Sequence, residues 1–189
     1  MGELFTSFDD AWAHFVARDQ PLESFFDQFP EEDDEGEGWL IIPPPEVKRE
    51  VLRLQAELED VPGLEPSPHH FLHVWVRGQH GPDVEALAEG GPFELSYRRV
   101  NCFPTAVVVE AHAESLESVD APDWFLPHLT IAVVRGAPDP NPVRDAVVPL
   151  RDADLGTTVV DELVYVRFPL SRSTVLQPWT VTERRSLRG

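Results

Sequence analysis

Two short stretches of this chain carry the period-two pattern of half-buried strands. Residues two apart on a strand share a face. In His128-Leu129-Thr130-Ile131-Ala132-Val133 this sends His128 and Thr130 one way, and Leu129, Ile131 and Val133 the other way, into a core. In His73-Val74-Trp75-Val76-Arg77 the same parity groups His73, Trp75 and Arg77 against Val74 and Val76. A chain built on such strands must form a sheet with one apolar face, and its other face carries imidazoles beside a hydroxyl, an indole and a guanidinium.

At 189 residues and 42% hydrophobic, the chain can bury a core and is sized for one ordinary domain. Its formal net charge is −19. Residues 1–37 hold 12 acidic side chains against one basic, Arg18, a net of −11. Residues 38–189 hold 22 against 14, a net of −8. That balance argues against nonspecific grip on long nucleic acid or an anionic membrane, both of which need dense positive charge. The chain is read as an acidic, partly helical N-terminal extension, 1–37, on a body, 38–189. A single cysteine, Cys102, rules out an internal disulfide framework. The start MGELFTSFDD has no basic n-region, and no run approaches the ~18 apolar residues of a membrane helix. A soluble cytoplasmic protein is the expectation.

Residues 4–29 show two apolar stripes at helical spacing: Phe8, Trp12, Phe15 and Val16, then Leu22, Phe25, Phe26 and Phe29. Pro21 suits the opening of the second helix. The stripes are expected to pack on the body; the alternative is a surface for self-association or a basic protein partner. Glu31–Gly38 contains no hydrophobe and reads as a solvated linker. WLIIPP (39–44) reads as a strand and 45–61 as a helix. Residues 62–68 read as a Pro-rich turn, 71–78 as a strand and 81–91 as a short helix. Residues 93–103 and 106–113 read as strands joined at Pro104-Thr105. Pro122–Pro127 is a loop, 128–134 a strand and 140–150 a helix or irregular crossover. A final hairpin spans 159–170 and 175–185.

An imidazole can shuttle a proton near neutral pH, and a hydroxyl can donate to a phosphate oxygen. Two histidines on opposed strands can act as general acid and general base without a metal. On these residues the chain resembles the two-histidine (2H) phosphoesterase superfamily, in particular its 2′-5′ RNA ligase-like, cyclic phosphodiesterase branch. His128-Leu129-Thr130-Ile131 matches the family's His-hydrophobic-Thr/Ser-hydrophobic motif fully. His73-Val74-Trp75-Val76 matches three of its four positions. WLIIPPPEVKREVLRLQAEL, FELSYRRVNCFP and VVDELVYVRF resemble the flanking elements, so the resemblance covers roughly 38–185.

The resemblance implies a two-lobed α+β fold, with antiparallel sheets lining a central cleft and helices outside. It implies cofactor-independent chemistry on small nucleotides or RNA ends, often 2′,3′-cyclic phosphates. His73 and His128 would be the acid–base pair and Thr130 would hold phosphate. Trp75 departs from the motif, since an indole has one N–H and no hydroxyl. It could stack on a nucleobase or mark a site that binds without turnover. Arg77 is the better-placed cation, because Arg135 falls on the Leu129 face. Phe103 is a candidate for a base pocket, and at most one of Arg98 and Arg99 can face the cleft. His69 and His70 lack a convergent third ligand for zinc and read as turn residues.

Overall fold

The computed structural model describes residues 5–77, 84–117 and 125–188. The structure is α+β. In chain order its elements are α1 (Phe8–Ala17), β1 (Glu35–Ile41), α2 (Pro45–Leu58), β2 (Leu64–Pro66), β3 (Val74–Arg77), α3 (Val84–Gly90), β4 (Phe93–Phe103) and β5 (Ala106–His112). They continue with α4 (Glu114–Glu117), β6 (His128–Val134), α5 (Pro140–Val147), β7 (Asp154–Val160), β8 (Glu162–Pro169) and β9 (Thr180–Ser186). Among the described residues, nine strands form one sheet in the order β7-β4-β5-β6-β3-β1-β8-β9, with β2 added beside β6. Their pairings are antiparallel.

The sheet divides into two halves at its middle. β3 and β6 share a single register pair, Val74 with Leu129, whereas β5 and β6 are paired from Ala106 to Glu110. The two histidine strands therefore meet at the seam, one at the inner edge of each half. The parity read from the sequence holds: Val74, Val76, Leu129, Ile131 and Val133 are fully buried.

α2 covers the outer face. Pro45 opens it at a position that needs no N–H donor, and Val47, Val51 and Leu58 face the core. Its buried Gln55 donates to the carbonyls of Ser67 (2.9 Å) and Ile131 (2.8 Å). That amide fixes the main chain one residue beyond Thr130, and it satisfies groups that would be costly to bury unpaired.

The N-terminal segment packs against the sheet. Ser7 caps α1 by accepting from the Asp10 N–H. The buried stripe is Phe8, Ala11 and Phe15, while Val16 is exposed. Phe15 and Leu22 belong to the main core. The expected second helix is only a 3₁₀ turn, Phe25–Gln28. Leu22 N–H donates to Pro138 O and Glu23 N–H to Pro104 O, which ties the segment before this turn to the body. The linker reading of 31–38 also needs correction, because Glu35–Gly38 pair with Phe168, Arg167 and their neighbours as the start of β1. A Cβ at Gly36 would lie 2.5 Å from the Phe168 ring, so a side chain there would displace that ring.

Two further strands were hidden. β7 is a separate strand on the edge of β4, divided from β8 at Asp161. β2 lies within the Pro-rich turn. The β9 strand begins at Thr180, after turns that end at Gln177. Residues 81–83 of the expected short helix and 122–124 of the expected loop lie outside the described residues.

Candidate active site: two histidines in an aromatic cavity

His73 immediately precedes β3 and His128 opens β6. Each is anchored in the same way. His73 Nδ1 lies 2.5 Å from Phe71 O, and His128 Nδ1 lies 2.7 Å from Leu126 O, the carbonyl two residues back in both cases. A carbonyl can only accept, so both Nδ1 atoms are donors and both Nε2 atoms carry the free lone pair of the neutral ring.

Both rings line one cavity of about 550 Å³. Thr130, Trp75 and Phe103 line it too, so five of the six residues singled out from the sequence converge on it. The side chain of the sixth, Arg77, lies outside what the structure describes. Arg135 is elsewhere: it pairs with Glu65, and its guanidinium sits 4.6 Å from the centre of the Phe26 ring. His69 and His70 form a 3₁₀ turn before the strand, as read, and His70 Nε2 lies 2.8 Å from Leu176 O. Arg98 is exposed, and Arg99 turns back to Glu110 at 2.7 Å.

The walls are aromatic. Trp179 and Phe71 both stand edge-on to His73, at 4.9 and 5.1 Å. Phe103 stands edge-on to His128 at 5.0 Å, and Trp75 packs edge-on against Phe168 at 5.5 Å. Among the described residues nine rings, seven Phe and two Trp, line the cavity. Burial among them lowers the pKa of both histidines. For His73 the value falls to about 4, and the charge of a protonated His128 adds to the lowering.

Several wall residues come from segments that the motifs did not flag. Phe5, Glu23, Phe25, Gln28 and Phe29 come from the N-terminal segment, and Leu170, Val175 and Trp179 from the connection between β8 and β9. The two segments are tied together. Leu170 N–H donates to Asp34 O, Arg172 N–H to Pro30 O, and Ser171 Oγ to Asp33. The available signal was the density of Phe in 5–29, which showed an apolar surface but not its destination.

Beside this cavity, on the same face of the sheet, lies a buried charge cluster. Strand register places Glu110 opposite His128, and Asn101 opposite Val108, which in turn faces Thr130. Glu110 is fully buried and accepts from Asn101 (2.9 Å), Arg151 (2.5 Å), Arg99 (2.7 Å) and His112 (3.1 Å). Asn101 also donates to Phe8 O, which seats the start of α1 on this face.

A two-part antiparallel sheet with one histidine strand on each side of its seam is the 2H phosphoesterase fold. Among solved structures, TT0787 of Thermus thermophilus is similar at 23% identity and a TM-score of 0.56, over 82% of this chain and 98% of that one. Escherichia coli LigT, solved with 3′-AMP, is similar at 17% identity and a TM-score of 0.56, over 84% and 100%. A protein described as a phosphoesterase is similar at 16% identity and a TM-score of 0.53, over 82% and 99%. No protein-family model matches the chain, and no curated protein matches it at a significant level. These solved proteins are covered almost end to end, so roughly a sixth of this chain lies beyond the shared fold.

Proposed function

We propose that this protein is a metal-independent phosphoesterase of the 2H type, a cyclic phosphodiesterase or 2′-5′ RNA ligase-like enzyme. Its substrates are small nucleotides or RNA ends. The observation that carries this reading is the pair of imidazoles, each held by its Nδ1–H, that line one cavity together with Thr130. LigT, whose fold this chain shares, has been solved with 3′-AMP, ATP and NADP+, which favours small nucleotide ligands here too.

In hydrolysis of a 2′,3′-cyclic phosphodiester, one imidazole takes a proton from water as the water oxygen bonds to phosphorus. The other gives its proton to the departing ribose oxygen. His73 and His128 fill these two roles, and which is acid and which is base follows the direction of the reaction. Thr130 Oγ1 donates to a non-bridging oxygen. Trp75 and Phe103 flank the ribose and base, and Arg77 serves the phosphate.

The test is turnover of 2′,3′-cyclic nucleotides by pure protein in EDTA. His73→Ala and His128→Ala should each lower kcat by ~10²–10⁴-fold, the usual range for a general acid or base. Activity that survives both substitutions would eliminate the reading. Trp75 favours a second reading, a binder without turnover, because it removes one of the two hydroxyls that the motif pair supplies. Saturable quenching of tryptophan fluorescence by a cyclic nucleotide that is never hydrolysed would establish it.

A further inference from the structure

The cavity has a chemical polarity that the two-histidine motif does not explain. At one place are His73, His128 and Thr130. Apart from the two histidines, the charged side chain among the described lining residues is Glu23. It is a fixed carboxylate. Its main-chain N–H donates to Pro104 O at 2.9 Å, and one carboxylate oxygen accepts from Arg18 at 3.1 Å. Arg18 is itself held by the carbonyls of Gln20 and Pro21. The side chain of Glu23 remains half exposed, at 49%. Its own segment bridges the seam: Glu23 is tied to the β4–β5 turn beside Phe103, and Phe25 packs edge-on to Phe71 beside His73, at 6.3 Å.

A carboxylate in an apolar, ring-lined cavity repels a phosphate and accepts hydrogen bonds from N–H donors. We propose that Glu23 is a specificity residue that receives the donor-bearing edge of a nucleobase, guanine foremost, while the phosphodiester lies at His73, His128 and Thr130. The inference rests on the phosphoesterase reading above and adds the base to it. Guanine presents N1–H and the N2 amino group side by side, which a carboxylate can accept together. Uracil presents one N–H between two carbonyl oxygens, and these repel a carboxylate. A site that hydrogen-bonds its ligand rejects an analogue that leaves a polar group unpaired.

The experiment compares guanosine and uridine 2′,3′-cyclic phosphates on the full chain, as wild type and Glu23→Gln. It measures kcat/KM, and separately Kd by tryptophan fluorescence. Wild type should favour guanosine by about tenfold or more, as expected for a hydrogen bond to a charged group. Glu23→Gln should bring the ratio close to one. Loss of the Arg18 bridge alone would move both nucleotides together and leave the ratio unchanged, and that result would overturn the proposal. So would a wild type that prefers uridine. Base-ranked binding that depends on Glu23, without turnover, would remove the catalytic reading and keep this one. Turnover without base ranking would do the reverse. Absence of both turnover and saturable binding would end both.

Discussion

Two neutral imidazoles that line one cavity offer a phosphodiester anion no charge as they stand. One of them must take a proton, and burial opposes that. Its cost is what lowers both pKa values and takes His73 to about 4, with the charge of a protonated His128 a lesser addition. The productive free enzyme carries one proton on the pair. It is lost when pH rises through the upper value of the pair, which lies below the ordinary histidine value of 6.5. It is over-protonated when pH falls through about 4. A plot of kcat/KM against pH should therefore be a bell whose maximum lies between about 4 and 6.5. A plateau extending above pH 8 would contradict the assignment. The parity of both motifs was legible in the sequence because period two is a local property. The depth of their burial was not, because the rings around them arrive from β8–β9 and the N-terminal segment.

At the scale of elements, the sheet face beside His128 is organised by one carboxylate. Burial alone would raise the pKa of Glu110, but hydrogen bonds from His112, Arg151 and Asn101 outweigh it, and the net shift is downward from 4.5. Its contribution is thus fully present at neutral pH and is lost as pH falls through the lowered value. Arg99 reaches it from a β-bulge with a left-handed backbone, φ 63°, which a non-glycine residue holds only under constraint from its surroundings. Arg99 and Arg151 also meet Asp9 of α1, at 3.1 and 3.6 Å, so the cluster latches α1 onto β4. Glu110→Gln should cost about 3 kcal/mol in urea denaturation, near the low end for breaking a buried pair because both arginines keep some exposure. A loss below about 0.5 kcal/mol, the range of ordinary surface substitutions, would show that the latch is incidental. Nothing in the residue pattern announced this cluster: Arg99 reads only as one of two adjacent strand arginines, and its partner lies on the next strand across a bulge that shifts the register. β7 escaped for a related reason. Asp-Leu-Gly-Thr-Thr is a polar edge without the apolar run that marks a buried strand, and only its pairing with β4 defines it. The aromatic stripes of 8–29 were visible, but the second packs as a 3₁₀ turn in a segment tied by main-chain hydrogen bonds to Pro104 and Pro138, contacts between residues far apart in the chain.

At the scale of the molecule, the chain carries −19 and the proposed substrate is an anion. Long-range repulsion acts before any contact is made, and salt screens it. A protein that grips nucleic acid through a cationic groove loses affinity steeply as salt rises. This one should show the opposite sign. Raising ionic strength from 10 to 150 mM shortens the screening length from about 30 to about 8 Å, so kcat/KM for a mononucleotide 2′,3′-cyclic phosphate should rise, by about twofold. For an oligonucleotide with the same cyclic end, every added phosphate meets the same negative field, so its kcat/KM should start lower and rise more steeply. The acidic side chains of 23–37 give this contrast a local origin, since their segment forms one wall of the cavity and is bonded to the β8–β9 connection that forms another. Steady-state assays of the two substrates across this salt range decide the matter. If the oligonucleotide is the better substrate at low salt and weakens as salt is added, a cationic track on the protein dominates, and the preference for small substrates argued from the charge is wrong.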